Sequence, residues 1–332
     1  MTTPTLDEVA RLAGVSRSTA SRVLNGGVAS PRAAAAVRAA IATLGFVPNR
    51  AARDLARMRT DAIALVAPDS PDNIFSSVFM SIAARSISQE FWRAGLQPML
   101  VLMDPADPGP TAGRFLRSGN VDGLVVMNYH ENPAVEDLLR DSGLPTVFVG
   151  RPPRPGLYPY VDADNRHGAG LATRRLIEQG RRHVACLGGP LAMTAAQDRR
   201  DGWLDAHAEL GQEPGPYVEG EFRTESGRAG VEWLLEHAPA TDGVFAHADS
   251  IAAGAIQGLR AAGRSVPGDV ALVGFDDFPT AVETCPTLTT VAQPVAALAR
   301  TAGRLLIDYL RDGVWPDQPI VFPTELVVRD SG

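Results

Sequence analysis

The sequence predicts a chain in two parts: an N-terminal all-α helix-turn-helix headpiece, then an α/β body of two doubly wound parallel-sheet lobes. Three observations carry this prediction. Residues 5–25 spell two short helices around a glycine turn, short apolar runs alternate with amphipathic stretches from residue 62 onward, and charge is divided between the two parts. Residues 1–60 hold nine arginines against three acids, net +6, whereas the rest holds 22 arginines against 35 acids, net −13, for a total of −7. A basic head on an acidic body points to phosphate contact by the head, which the total charge hides.

In the segment TLDEVARLAGVSRSTASRVLN, Thr5 followed by Glu8 is a capping box, and Leu6, Val9, Ala10 and Ala13 recur at helical spacing to give one buried face. Gly14 supplies the turn. Ser16 caps a second helix on which Ala20, Val23 and Leu24 point inward while Arg17, Ser18, Ser21 and Arg22 point out. That outward face is short-chained, polar and cationic, as a helix reading base edges in the major groove requires. Arg17 and Arg22 are the candidate base readers, since a guanidinium fork matches the O6 and N7 acceptors of guanine. Thr19, Ser21 and Asn25 suit phosphate. The plain alternative is that any capped helix pair with a glycine turn has this pattern.

Ser30-Pro31 starts a third helix with Val37, Ile41 and Leu44 on one face and Gly45 past its end, so three helices share a small core. The headpiece is assigned residues 1–47. Residues 48–60, PNRAARDLARMRT, are arginine-rich with too few apolar residues to fold alone and read as a hinge or linker. The body, 61–332, shows the runs IALVAPD, QPMLVLM, VDGLVVM, PTVFVG, HVACLGG, DGVFAHAD and DVALVGFDD. Continuous hydrophobicity marks parallel strands covered on both faces. About 270 residues exceed one typical domain, so two lobes are expected, each a doubly wound sheet. The first crossing between them is placed at the proline-rich residues 151–160, giving one lobe about 61–160 plus 278–321 and the other about 161–277 plus 322–332. A ligand then belongs in the cleft where strand C-termini meet.

Residues 5–25 and PNRAARDLA at 48–56 resemble the headpiece of the lactose-repressor/galactose-repressor (LacI/GalR) family, and the resemblance runs through nearly all 332 residues. NIF at 73–75, DN at 164–165, RRDGW at 199–203, ADS at 248–250, GFDD at 274–277, PTLTTV at 286–291 and VVRDS at 327–331 fall where that family has matching words. The resemblance implies a periplasmic-binding-protein-like body and an allosteric transcriptional regulator, most simply a repressor. It implies a DNA-binding set of Thr5, Ser16, Arg17, Ser18, Thr19, Ser21, Arg22, Asn25, Asn49, Arg50 and Leu55, with Leu55 wedging into the minor groove at a kinked base step. The implied effector-binding set is Phe75, Asp164, Arg199, Phe222 and Asp276. Acids and arginine would grip hydroxyl, carboxylate or phosphate groups, and an aromatic face suits the apolar side of a sugar or base. Each also has a plain structural role: Asp164 as a helix cap, Arg199 as an ion-pair partner, the phenylalanines as core. Asp249 and Asp277 suit loop and helix ends better than ligand.

Two departures stand out. Ala248 occupies a position where the family commonly has Asn, so the cleft loses a polar group and a modified sugar, glycoside or nucleoside-like effector stays open. Gln179-Gly180-Arg181-Arg182 stands where the family favours Gly-His, which suits a helix C-cap. The expected partners are a pseudo-palindromic double-stranded DNA operator, a sugar-like small molecule and a second copy of the chain, because one helix-turn-helix reads only a few base pairs. The surfaces around residues 76–95 and 250–262 are candidate dimer faces, and VVRDSG without trailing leucine heptads favours a dimer over a zippered tetramer. No cofactor, metal or membrane partner is expected. The N-terminal MTTPTLDEV lacks an apolar signal region, no long apolar run exists, and Cys186 and Cys285 form no framework, which together suggest a cytoplasmic, nucleoid-associated protein. G-x-S-x-G, P-loop, HExxH and dinucleotide fingerprints are missing, leaving an enzymatic body acting on a sugar or nucleoside as the alternative class.

Overall fold

The computed structural model describes residues 4–24, 27–46, 59–103 and 109–332, and it divides into two compact units, 1–60 and 61–332. In the first unit, α1 (Leu6–Ala13) starts at Thr5, whose side chain accepts from the Glu8 amide while the Glu8 carboxylate accepts from the Thr5 amide at 2.7 Å. Gly14, at φ 64°, closes the helix in the left-handed conformation that glycine adopts without steric cost. Next comes α2 (Arg17–Leu24), and α3 (Pro31–Leu44) is capped by Ser30 and ended by Gly45. Val9, Ala10, Ala20, Val37 and Ala40 are the buried core, with Leu6, Ala13, Val23, Ile41 and Leu44 around it. Five small side chains make a thin core, so local capping carries much of this unit.

The body opens with β1 (Ala62–Ala67), α4 (Pro71–Ser76), α5 (Val78–Arg93), β2 (Gln97–Leu102), α6 (Gly109–Arg117), β3 (Gly123–Met127), α7 (Pro133–Ser142), β4 (Thr146–Val149) and β5 (Tyr160–Ala163). It continues with α8 (Asn165–Glu178), β6 (Val184–Gly188), α9 (Thr194–Glu209), β7 (Tyr217–Glu219), α10 (Thr224–His237), β8 (Gly243–Ala246), α11 (Asp249–Ala261), β9 (Ala271–Asp276), α12 (Thr280–Glu283) and β10 (Thr289–Ala292). The last elements are α13 (Val295–Asp312), β11 (Ile320–Phe322) and β12 (Glu325–Val327). Two six-stranded sheets result, ordered β11-β5-β4-β3-β1-β2 and β12-β10-β9-β8-β6-β7. Pairings are parallel except β12 on β10. Each sheet carries the doubly wound order 2-1-3-4-5, which reverses between β1 and β3 and between β6 and β8, and ligands sit beyond the strand ends at such reversals.

Strand membership corrects the lobe boundaries read from sequence. The proline-rich residues 151–160 stay in the first lobe as the β4–β5 connection, and the chain crosses only after β5, which pairs with β4 and β11. Residues 279–292, expected in the first lobe, belong to the second: β10 pairs with β9, and Ala281 and Leu288 are buried in the second lobe's core, while the Phe278 side chain packs against the first. The return crossing is at Gln293-Pro294, after which α13 packs Val295, Leu298, Ala299, Ala302 and Leu306 under the first sheet. The third crossing lies between β11 and β12, where Asp164 donates its amide to Phe322 and the Thr324 hydroxyl donates to the Asp164 carbonyl. A four-residue strand of threonine, valine and alanine carries no local signal of which lobe will pair it.

In the second lobe α10 and α11 approach so closely that a Cβ on Gly227 would lie 1.9 Å from the Ile251 carbonyl oxygen, and one on Gly254 1.9 Å from the Thr224 carbonyl oxygen. The replacement Gly254→Ala must push two backbones apart. Overpacking of this kind costs about 1–3 kcal/mol, so a thermal midpoint several degrees lower is expected by differential scanning calorimetry; an unchanged midpoint would refute the account of this crossing.

Candidate functional site

Between the two sheets of the body lies a cavity with about 1040 Å³ of free space, solvent at its mouth included. Its walls come from segments leaving strand C-termini: residues 76–79 after β1, Asn128 and Tyr129 after β3, Val149 to Arg151 after β4, and Asp162 at the end of β5. The second lobe contributes Met193, Thr194 and Arg199, Phe222, Ala248 and Ser250, Asp276 and Phe278, and Gln293. A second chamber at the mouth shares Ser76, Ser77, Asn128, Met193, Phe222 and Ser250 and adds Asp69, Asn73, His130, Glu221, Arg223, Thr224 and Glu225. Backbone conformation is unusual on both sides of the cavity: Asn128 has φ 52° and Asp276 φ 112°, positions where a non-glycine residue holds strain that surrounding structure must enforce.

Arg199 is the centre of the site. It rises from the second turn of α9, 5% exposed, with its guanidinium carbon 3.7 Å from the Phe275 ring centre. Its Nε donates to Asn165 Oδ1 at 2.9 Å, its Nη1 donates to the His247 carbonyl, and Nη1 lies 3.5 Å from Asp276 Oδ1. Gln293 Nε2 donates to that same Asp276 oxygen at 2.6 Å. Among the described residues no protein group accepts from Arg199 Nη2 or donates to Asp276 Oδ2, so this ion pair keeps a donor and an acceptor that hydroxyls of a polyol can satisfy.

Burial sets the acids of this region. The carboxyls of Asp276 and Asp249 are both pushed up by desolvation, Asp276 against the pull of Arg199 and Gln293. Asp249 accepts from the Thr290 hydroxyl and the Phe278 amide, thereby tying α11 to the loop after β9. Desolvation also raises Asp162, to about 6, against the lowering effect of the Ala163 and Arg151 amides that it accepts from. His247 is fully buried and held neutral by desolvation and two nearby arginines; its Nδ1 accepts from the Gly189 amide, and its side chain is not part of the cavity wall.

Of the effector residues expected from sequence, the structure brings Arg199, Phe222 and Asp276 together in the cavity. It does not bring Phe75 or Asp164 there. Phe75, on the short helix α4, is 73% exposed, while Phe79, one turn on, is the aromatic in the wall. Asp164 caps α8 by accepting from the His167 amide, and Asp162, two residues earlier at the strand end, is the acid that faces the cavity. Asn128, Tyr129, Arg151, Thr194, Ser250 and Gln293 were not singled out by sequence. The one usable signal was position: each sits within a few residues of a strand's C-terminal end. Cys285 is exposed, and Asp277 pairs with Arg329 at 2.6 Å.

In the headpiece, the Ser16 hydroxyl accepts from the Thr19 amide at 3.1 Å and so starts α2. Arg17, Ser18 and Arg22 are exposed on α2, Thr19 and Ser21 half-buried, and Arg17 Nε lies 3.5 Å from Asp7. Thr5 is exposed and engaged in its capping box. Asn25, Asn49, Arg50 and Leu55 lie outside the described residues.

A three-helix head with an exposed basic, hydroxyl-rich second helix, joined to a two-lobed body around a polar cleft, defines a ligand-responsive DNA-binding regulator of transcription. Residues 5–49 match the profile of bacterial regulatory proteins of the lacI family, and residues 173–332 match that of a periplasmic-binding-protein-like domain. The chain is similar to the HTH-type transcriptional regulator CelR of Thermobifida fusca, 38% identical over 99% of this chain and 98% of the relative. It is 31% identical to the ribose operon repressor of Escherichia coli K12 over 98% and 99% of the two chains. Among solved structures, a CelR–cellobiose complex is 37% identical, covers 99% of this chain and 100% of its own, and superposes with a TM-score of 0.79. The Lac repressor dimer bound to operator and the anti-inducer ONPF is 25% identical over 99% of each chain, with a TM-score of 0.87. The chain belongs to the lacI family of bacterial regulatory proteins. Its relatives are transcriptional regulators and not enzymes, which favours a regulatory over an enzymatic body. Among the described residues no helix is long and apolar enough to cross a membrane.

Because Asp162 is more easily protonated folded than unfolded, its contribution to stability is fully present below about pH 4 and is lost as pH rises through about 6. Replacing it by Asn should therefore flatten the fall of the body's thermal midpoint between pH 4 and 7 relative to the parent; parallel profiles for the two proteins would contradict the assignment.

Proposed function

We propose that the protein is a homodimeric transcriptional repressor whose operator affinity is set by a sugar bound between the lobes. The observation that carries this reading is the open donor–acceptor pair of Arg199 and Asp276 facing aromatic walls at Phe79, Tyr129, Phe222 and Phe278. Apolar ring faces against CH surfaces and charged groups against hydroxyls are what a pyranose demands. Cellobiose in the complex of one relative is consistent with it. Arg199, Phe222 and Asp276 form the core of the effector site, with Asp162, Asn128, Arg151 and Gln293 joining them. Ala248 leaves the wall beside Phe222 apolar.

Operator contact is assigned to α2, with Arg17 and Arg22 toward bases and Ser16, Ser18, Thr19 and Ser21 toward phosphates; Asn25, Asn49, Arg50 and Leu55 complete the set on sequence grounds, and Thr5 supports it as a cap. Coupling from the body to the headpiece runs through residues 48–60. Effector binding shifts lobe closure, and the shift changes the free energy with which paired headpieces hold two half-sites. Supporting a dimer, Val78, Ile82, Arg85, Gln89 and Trp92 share one face of α5, where Trp92 is 61% exposed, and Met99 and Leu100 are exposed on the neighbouring edge strand β2. Exposed apolar groups this concentrated mark an interface. The variant Trp92→Glu should sediment as a monomer at concentrations where the parent is a dimer; equal sedimentation would remove this face from the interface.

The deciding experiment is footprinting on DNA flanking the gene, with and without cellobiose, ribose and related sugars. A single pseudo-palindromic site whose occupancy changes with one sugar is expected. Arg22→Ala should weaken that site by roughly 5–150-fold, the loss of one bidentate base contact, with the body still folded. Asp276→Ala unpairs the buried Arg199 and should lower the body's thermal midpoint, yet still bind the operator and ignore the sugar. Turnover of the sugar, or a normal response by Asp276→Ala, would overturn the reading.

A further inference from the structure

The cavity wall contains two guanidinium groups, and each already has a carboxylate. Arg151, in the first lobe after β4, donates Nε and Nη2 to the two oxygens of Asp198 on α9 of the second lobe, at 3.1 and 2.7 Å. This is the parallel two-bond geometry in which arginine binds a carboxylate or a phosphate, and it uses the fork completely on one face. Arg199 is paired with Asp276 and spends two further donors on Asn165 and the His247 carbonyl. Around these two cations stand four acids: Asp162, Asp198, Asp249 and Asp276. The mouth chamber repeats the imbalance, with Asp69, Glu221 and Glu225 against His130 and Arg223, and His130 sits 3.5 Å from Asp69.

We propose that this cleft selects an uncharged sugar over its phosphorylated or carboxylated counterpart, and that Asp198 is the residue that sets the selection. Asp198 is not part of the cavity wall; it acts by occupying Arg151, the cation best placed to receive an anion. An incoming phosphate would find that fork taken by Asp198 and the oxygens of Asp162 and Asp276 in the wall, which accept hydrogen bonds but cannot donate one when ionised. A neutral polyol meets no such cost and can use the acids as acceptors. Across the lobe boundary, the same pair is joined by the Thr194 hydroxyl donating to the Arg151 carbonyl, so Arg151 is held in place as well as neutralised. The inference rests on the sugar reading above and refines it to a charge class.

Isothermal titration calorimetry on the full-length protein tests it with three pairs: cellobiose and cellobiose 6-phosphate, ribose and ribose 5-phosphate, glucose and glucuronate. For whichever pair binds, the neutral member should be at least about 100-fold tighter. The variant Asp198→Asn, which uncovers Arg151, should bind the anionic member about tenfold more tightly than the parent while the neutral member changes by no more than a few-fold. Arg151→Gln added to Asp198→Asn should cancel that gain, since the effect passes through Arg151. A purely structural role for Asp198 would weaken both members alike. An anionic member binding as tightly as the neutral one in the parent, or an unchanged ratio in Asp198→Asn, overturns the charge selection and leaves the sugar reading standing. Silence of all six compounds overturns the sugar reading and this inference with it.

Discussion

One buried cation organises the body. A guanidinium cannot be taken out of water unless acceptors are already in place, and breaking such an arrangement by removing one partner is costly. Arg199 collects its acceptors from the start of α8, the end of β8 and the end of β9, and rests on the face of Phe275. Holding that one side chain therefore fixes where one helix of the second lobe begins and where two of its strands end. The cavity is the space that remains in front of them. Its strained residue, Asp276 at φ 112°, is kept in an unfavourable conformation by the same demand, with Gln293 completing the hold from the first residue beyond β10.

Among the described residues three chain crossings join the lobes, and hydrogen bonds bridge them near the cleft from Arg151 to Asp198, from Thr194 to the Arg151 carbonyl, and from the Glu131 amide to the Ala192 carbonyl. Two of these hydrogen bonds involve residues 194–198, directly before Arg199 on α9. A ligand that engages Arg199 thus pulls on the helix that also carries the bridging groups, which gives binding a route to lobe closure through one rigid element. The buried acids add an electrostatic cost to the unliganded state, since desolvation penalises the ionised forms of Asp162 and Asp276. Hydroxyl donors from a ligand would relieve it.

The readings from sequence succeeded where the physics is short-range. Thr5 with Glu8, Ser30 with Pro31, and Gly14 and Gly45 past their helices are signals within four residues, and the headpiece formed as they specify. The seven apolar runs of the body became β1, β2, β3, β4, β6, β8 and β9. Strands β5, β7, β10, β11 and β12, of three or four residues each, were missed, because their stability comes from partners far along the chain. Of the effector residues named by motif matching, Arg199, Phe222 and Asp276 line the cavity while Phe75 and Asp164 do not, and Phe79 and Asp162 line it nearby. In both cases the lining residue lies a few positions along the same segment.

By itself, the amino-acid sequence determined that there would be a capped three-helix head with a basic exposed helix, and alternating helices and strands behind it, since caps, periodicity and charge are properties of neighbours in the chain. Only the tertiary structure decided which sheet takes residues 279–292, which acid of the pair Asp162 and Asp164 faces the cavity and which one caps a helix, and that Arg151 meets Asp198 across the lobes. Those outcomes depend on groups brought together from distant parts of the chain, such as the Asp164 amide and the Phe322 carbonyl, and no local pattern of residues encodes such a meeting.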